Sequence, residues 1–409
     1  MAVITIFSGA FCRGDQVAEL LSQSHGLELV PDEAVTLEAS KRFQISQDKF
    51  HCALSGETSV FNRFTHEKER CLAHVKGVLS GMLGSEGLLF SGFAGHLIPR
   101  EITHVLRVGL IAENKFRVQR AMEEKGLKEQ DAERAIQSED KKAGAWIESL
   151  FQTDPWNPEL YDIILPMDNK TVEETALFIW ENAQRDILKS TPESKRAVKD
   201  FELAAKVETA LGREGHNVEV STREGLVTLT INKHVLLLSR LEEELVKIAM
   251  DVPAVKEVAT QVGPGYYKSN IYRKMDFNQP SKVVLVDDEK EFVETLSERL
   301  LMRDMGAAVV YNGEQALSLM EKEEPEVMVL DLKMPGINGI ALLHRVKEEH
   351  PDVEVIVLTG QGSEEDEKAC LDMGAFAYLE KPVDVDVLAK TMREAYRKVR
   401  ERGSNVSDR

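Results

Sequence analysis

Residues 282–288 read KVVLVDD, an apolar run that ends on two adjacent acids. The same design returns at 327–332 as VMVLDL, where Asp331 closes the run. AAVVY, VEVIVLTG and AYLEKP complete a set of short apolar stretches between residues 281 and 402, and a helical pattern follows each of them. Runs rich in Val, Ile and Leu without alternation suit strands buried on both faces. Such strands alternating with helices predict a doubly wound, five-stranded sheet whose site lies at the strand C-termini. Asp287, Asp288 and Asp331 then meet in one crevice. Carboxylates crowded there repel each other, and a hard divalent cation such as Mg²⁺, held by oxygen ligands, relieves the repulsion. A carboxylate in that setting can also act as a nucleophile and form an acyl phosphate. Thr359, in VLTG, adds a hydroxyl, and Lys381, in EKP, adds a positive charge for phosphoryl oxygens.

The chain has 409 residues, more than one ordinary domain holds. Its 43% hydrophobic and 30% charged residues are those of a globular protein. A net charge of −19 makes it a poor general binder of nucleic acid or anionic membrane. Cys12, Cys52, Cys71 and Cys370 form neither a metal-like spacing nor a disulfide framework, which favours a reducing compartment. No Lys or Arg precedes the apolar run at residues 3–7, and bulky Phe11 stands where a lipoprotein signal wants a small residue before Cys12. A cytoplasmic location is the expectation.

Upstream of the doubly wound block lie two more. Residues 197–267 run helix (DFELAAKVETALGRE), two strands around the turn REG (NVEVSTREGLVTLTI), helix (LLLSRLEEELVKIAMDV) and strand (VKEVATQV). This α-β-β-α-β order makes a small sheet with two helices on one face. His216 and His234 stand alone in it, with no cluster that points to catalysis. STPESKR before it and GPGYYKSNIYRKMDFNQP after it read as linkers.

The first block, residues 1–190, alternates strands (VITIF, GLLFSGFAG, HVLRVGLIA, YDIILP) with amphipathic helices, an α/β pattern with a mainly parallel sheet. Residues 3–21, VITIFSGAFCRGDQVAELL, have the strand–turn–helix layout of a phosphate-binding loop. The Lys-Ser/Thr pair that ends such a loop is missing, and Arg13, Gly14 and Asp15 stand near its place.

The third block, 281–402, resembles the receiver domain of two-component response regulators through VDDE, VLDLKMPGINGI, VLTG and AYLEKP. The resemblance implies Asp331 as phosphoacceptor and Asp287, Asp288 and the backbone carbonyl of Lys333 as Mg²⁺ partners. It implies phosphoryl contacts from Thr359 and Lys381, with Tyr378 as the switch aromatic. A sensor histidine kinase or another phosphodonor is then the expected partner. DNA is not, because no helix-turn-helix follows the block. The middle block resembles a BON domain through REGLVTLTI and DVPAVKEVATQV, which implies phospholipid or membrane-surface attachment, or small-ligand or protein contacts. Because no export signal is read in the chain, protein or intramolecular contacts are expected ahead of lipid contact.

The first block resembles the cytidylate kinase-like family of P-loop nucleoside monophosphate kinases. The carrying segments are LLFSGFAGHLI, HVLRVGLIAENKFRVQRAMEEKGLKEQDAERAIQSEDKKAGAW and PELYDIILPMDNKTVEETALFI. The resemblance implies nucleotide contacts at Gly9, Arg13, Gly14, Arg117, Arg120, Lys141 and Lys142, with ATP or another nucleotide as the ligand. The chain departs from the pattern at the thinned loop glycines and at Gly92-Phe93, where the family has Gly-Arg. The whole therefore reads as a multidomain α/β signalling protein whose receiver modulates a degenerate kinase-like block, the BON-like block or a partner protein. The rival reading is an active cytidylate-type kinase gated by the receiver.

Overall fold

The computed structural model describes residues 2–56, 59–235, 237–266, 275–360 and 362–407. The chain forms two compact units. One comprises Met1–Thr58, Glu67–Arg213 and Asn217–Tyr272, and the other Ser59–His66, Glu214–His216 and Arg273–Arg409.

The first unit is built on five parallel strands, β1 (Val3–Ser8), β2 (Glu28–Pro31), β3 (Leu88–Ser91), β4 (Val105–Ile111) and β5 (Ile163–Pro166), in the order β2-β3-β1-β4-β5. Ile4 and Ile6 of β1 pack into one core with Val17, Ala18 and Leu21 of the helix Gly14–His25. Val3 points to the opposite core, with Phe50, Val75, Leu79 and Trp146. Both faces of β1 are thus covered, which explains why VITIF carries no charged residue and one small polar one, Thr5. The chain leaves β1 on one side for β2 and returns past it for β4, so the switch in direction falls at the C-terminal end of β1.

The same unit contains a three-stranded sheet, β6 (Glu219–Arg223), β7 (Leu226–Ile231) and β8 (Glu257–Val262), ordered β6-β7-β8. The first pair is antiparallel and the second parallel. Glu224 and Gly225 turn the hairpin with φ of 52° and 89°, as the segment REG required. Helices Pro192–Arg213 and Leu238–Met250 cover one face through Leu203, Val207, Leu211, Leu241 and Leu245. The α-β-β-α-β order is as read. The expected linker STPESKR, however, supplies the first turns of the helix Pro192–Arg213. Pro192 opens it, where a missing N–H costs nothing, and Thr191 Oγ1 accepts from Ser194 N. This helix lies along Glu67–Met82, with Lys76 paired to Glu208 at 2.8 Å and Phe201 joining the core of Phe50 and Trp146. Part of the second expected linker, residues 267–274, lies outside the described residues, as does the last residue of the 197–267 block.

The second unit carries β9 (Val283–Val286), β10 (Ala307–Val310), β11 (Val327–Leu330), β12 (Glu354–Thr359) and β13 (Ala377–Glu380), all parallel, in the order β10-β9-β11-β12-β13. The sheet is the doubly wound one read from the strand runs. β9, β11 and β12 are buried along their whole length. The direction switches between β9 and β11, so the residues just after these strands share one crevice. At the opposite edge, Glu354 is fully buried, and Lys398 at 3.1 Å and Arg402 at 2.9 Å tie the long helix Val385–Ser407 to it.

Candidate functional site

Asp287 and Asp288 follow β9, and Asp331 follows β11. Their carboxylate oxygens come within 4.8 Å of one another. Asp287 and Asp331 are buried and Asp288 is partly exposed. Lys381, just past β13, bridges them. Its Nζ is 2.7 Å from Asp287, 3.0 Å from Asp331 and 3.2 Å from Glu289. It also lies 4.5 Å from the ring centre of Phe292. Backbone amides fix the acids: Glu289 N–H donates to Asp287 Oδ1 at 2.9 Å, and Lys333 N–H donates to Asp331 Oδ1 at 3.3 Å. Burial raises the Asp287 carboxyl above its ordinary range, against the lowering effect of Lys381 and the Glu289 amide. Burial pulls Lys381 down, but hydrogen bonds to Asp287 and Asp331 outweigh it and push the ammonium up to about 12. Lys381 is therefore charged throughout the physiological range.

Thr359 ends β12, and its Oγ1 is sealed from solvent with no hydrogen-bond partner. A buried hydroxyl left so is unusual and marks a place where a ligand atom is wanted. Tyr378, in β13, packs on the core of Val357 and Cys370, and its hydroxyl is also sealed and without a partner. That hydroxyl fills the space in which a Cβ at Gly362 would sit. The five side chains singled out from the strand ends therefore gather on one edge of the sheet, with Lys333 contributing through its backbone. Glu289, the fourth letter of VDDE, is a partner of Lys381 that strand-end reasoning passed over. Its position one residue beyond the acid pair was the signal.

The loop after β1 has the expected strand–turn–helix course but a different chemistry. Phe11 and Arg13 both adopt left-handed backbone, with φ of 61° and 59°. That region favours glycine, and bulky residues there are strained. Gly14 opens the following helix, and a Cβ there would collide with Ser8. A Cβ at Gly9 would meet the Trp156 ring at 3.3 Å, so an indole lies against the loop. Arg13 is stacked 5.3 Å from the ring centre of Phe116. Buried Arg117 donates to both carboxylate oxygens of Asp140, at 2.9 and 2.5 Å, and to the Ala10 carbonyl at 2.9 Å. Arg120 pairs with Glu123 at 2.8 Å and with Glu124. Lys142 pairs with Glu139 at 2.9 Å, and Lys141 is exposed. Of the candidate nucleotide contacts outside the loop, Arg117 reaches it through the Ala10 carbonyl, and Arg117, Arg120 and Lys142 are committed to protein acceptors, whereas Arg13 has its Nε sealed without a hydrogen-bond partner. Asp140 and Trp156 are the residues that decide this, and neither carried a signal of that role in the sequence.

The turn after β3 is organised by Asp32. Its carboxylate accepts from Phe93 N–H at 2.7 Å and Ala94 N–H at 2.9 Å. Burial pushes Asp32 up to about 6 despite those two amides.

Residues 3–169 match the cytidylate kinase-like family, and residues 283–393 match the response regulator receiver domain. The chain carries a cytidylate kinase-like domain followed by a receiver domain. Over 118 residues it is 37% identical to the transcriptional regulatory protein CpxR of Klebsiella pneumoniae, covering 29% of this chain and 50% of that one. The figures for CpxR of Escherichia coli are the same. The chain spans about half the length of the curated relatives it matches. Among solved structures, the Francisella response regulator 1452 receiver domain is 28% identical, with 29% of this chain and 98% of that one covered and a TM-score of 0.28. The BeF3-activated N-terminal receiver domain of Klebsiella pneumoniae RstA is also 28% identical, with 28% and 98% covered and a TM-score of 0.27. No helix among the described residues is long and apolar enough to cross a membrane.

Proposed function

We propose that this chain is a cytoplasmic two-component signalling protein whose receiver takes a phosphoryl group on Asp331 from a sensor histidine kinase or another phosphodonor. The observation that carries this reading is the convergence of two buried acids on one lysine, beside a buried hydroxyl with no partner. An Asp331 oxygen attacks phosphorus while the bond from phosphorus to the donor's nitrogen or oxygen breaks. The leaving group keeps that electron pair and takes up a proton, and the product is an acyl phosphate. Lys381 holds the acids in place and presents positive charge to the phosphoryl oxygens. The Thr359 hydroxyl donates to one of them and so acquires the partner it lacks.

The donor set fits Mg²⁺: it is all oxygen, with two buried carboxylates, one more exposed carboxylate and the Lys333 carbonyl two residues beyond Asp331 in the chain. When bound there, Mg²⁺ supplies the charge that neutralises the acids and the incoming phosphoryl oxygens. The receiver's output, through Tyr378, acts on the kinase-like part, on the α-β-β-α-β part read as BON-like, or on a separate protein. The commitment of Arg117 to Asp140 and the Ala10 carbonyl supports reading the kinase-like part as a sensor or scaffold. The test is intact-mass analysis after incubation with acetyl phosphate and Mg²⁺. One added phosphoryl group is expected, absent without Mg²⁺ and absent in Asp331→Asn. Undiminished labelling of Asp331→Asn would refute the assignment.

A further inference from the structure

The first unit holds a cavity of about 380 Å³ lined by Phe7 of β1, His96 and Ile98 beyond β3, Arg107 of β4, and Phe151 and Tyr161. This size is within the usual range of small-molecule pockets. We propose that it binds a neutral, planar ring bearing one N–H or O–H donor, and that His96 Nε2 accepts that donor.

Three observations converge on that ligand class. The first is the shape of the walls. His96 stands edge-on to Phe7 at 4.7 Å, to Tyr161 at 6.0 Å and to Phe151 at 6.4 Å between ring centres. Aromatic walls in such edge arrangements select flat rings. The second is an acceptor without a donor. His96 Nδ1 lies 3.3 Å from the Phe93 carbonyl oxygen. A carbonyl only accepts, so Nδ1 carries the hydrogen and Nε2 of the neutral ring is a bare lone pair. Burial holds the imidazole neutral, with its pKa lowered to about 4. Nε2 is sealed from water and has no hydrogen-bond partner. The third is the state of the nearby cations. Arg107 donates to the carbonyls of Pro99 at 2.7 Å, Val105 at 3.2 Å and Ile98 at 3.3 Å, with Asp162 at 3.9 Å. Arg100 donates to the Glu159 carbonyl and lies 4.0 Å from Asp162. A phosphate or carboxylate entering here would find its counter-charges already engaged, whereas a neutral donor finds an acceptor that has no partner. Because Nε2 is closed off, a wall must give way for the ring to reach it, and that part is assigned to Phe151, 43% exposed at the end of the helix Glu129–Phe151 and 6.4 Å from His96 between ring centres.

The site is independent of the receiver chemistry, and the probes are indole against 1-methylindole, with phenol against anisole as a second pair. Isothermal titration of the full chain should show indole binding about tenfold tighter than 1-methylindole, the value of one hydrogen bond to a buried acceptor. Phenol should exceed anisole by a similar factor. His96→Phe keeps the edge contacts and should erase both preferences to within about twofold. In the wild type, the ¹⁵N resonance of His96 Nε2 should shift on adding indole and stay in place on adding 1-methylindole. Cytidine monophosphate at millimolar concentration should not displace indole. Absence of saturable indole binding, equal affinity for the two indoles, a preference that survives His96→Phe, or displacement by the nucleotide would each overturn the proposal.

Discussion

The chain contains two places where a parallel sheet changes direction, and they treat charge in opposite ways. Beyond β9 and β11, acids, a lysine and a hydroxyl meet with binding capacity in reserve: Asp287, Glu289 and Asp331 share Lys381, Asp288 lies within reach of the same acids, and Thr359 has no partner. Beyond β1, the turn and helix are kept, but Arg117 is closed onto Asp140 and Ala10, Arg120 onto Glu123 and Glu124, and Trp156 lies against Gly9. Sheet topology places a crevice at both points. Topology alone does not make a phosphate site. What separates the two is how much charge is left uncommitted for an incoming group, since a cation that already has its carboxylate gains little by exchanging it for another anion. Beyond β1, Arg13 keeps a sealed, unpartnered Nε.

Lys381→Met should break the receiver half of this contrast most severely. It leaves Asp287 and Asp331 buried and facing each other, and loss of one partner of a buried ion group costs about 3–5 kcal/mol. Urea unfolding monitored on the receiver should show that loss without metal and partial recovery on adding Mg²⁺. No recovery would mean that the acids do not form a cation site.

Arg117→Ala tests the other half. It removes charged hydrogen bonds to Asp140 and the Ala10 carbonyl, so a stability loss of about 2–3 kcal/mol is expected in denaturant titration of the first unit. Nucleotide affinity should not change, whereas a loss of affinity without a loss of stability would make Arg117 a ligand-binding cation.

Gly362→Ala addresses the link between site and surface. The added methyl group displaces the Tyr378 hydroxyl, at a cost of about 1–3 kcal/mol for overpacking. The Tyr378 ring resonances should move while Asp331 labelling persists.

The remaining effect is in pH dependence, spread over a window of pH. The unfolded chain protonates a histidine near pH 6.5, whereas folded His96 does so only near 4. The unfolded state therefore binds more protons between those values, and stability falls as pH drops from 6.5 to 4. His74, also lowered to about 4 by burial, acts in the same direction. Asp32, raised to about 6, acts in the opposite one, because its folded form gains a proton first as pH falls. His96→Phe should remove a slope of about 1.36 kcal/mol per pH unit within that window. An unchanged slope would show that His96 is not held neutral.

The sequence reported strands and strand-end acids well, and it reported commitments poorly. β9 and β11 are continuous apolar runs, and β12 is one between Glu354 and Thr359, because both faces are covered, and the acids that matter are the next residues after β9 and β11. Such features are local. Arg117 and Asp140 sit 23 residues apart on the helices Asn114–Lys125 and Glu129–Phe151, and nothing in either segment announces that they meet. Trp156 against Gly9 and Tyr378 against Gly362 are likewise products of packing. The segment STPESKR misled for another reason. Pro and Ser punctuate loops, but they also start helices, and Pro192 does the latter.

The central claim is that phosphoryl chemistry in this chain belongs to Asp331 and not to the loop after β1. The most direct measurement incubates the full chain with Mg²⁺ and acetyl phosphate, traps aspartyl phosphate by borohydride reduction and maps the product by peptide mass spectrometry. A parallel sample receives Mg²⁺-ATP with cytidine monophosphate and is assayed for ADP. Homoserine at position 331 alone, with ADP at the level of the protein-free control, is the expected result. Homoserine at Asp287 or Asp288, or ADP formation that requires the monophosphate and disappears in Arg117→Ala, would contradict it.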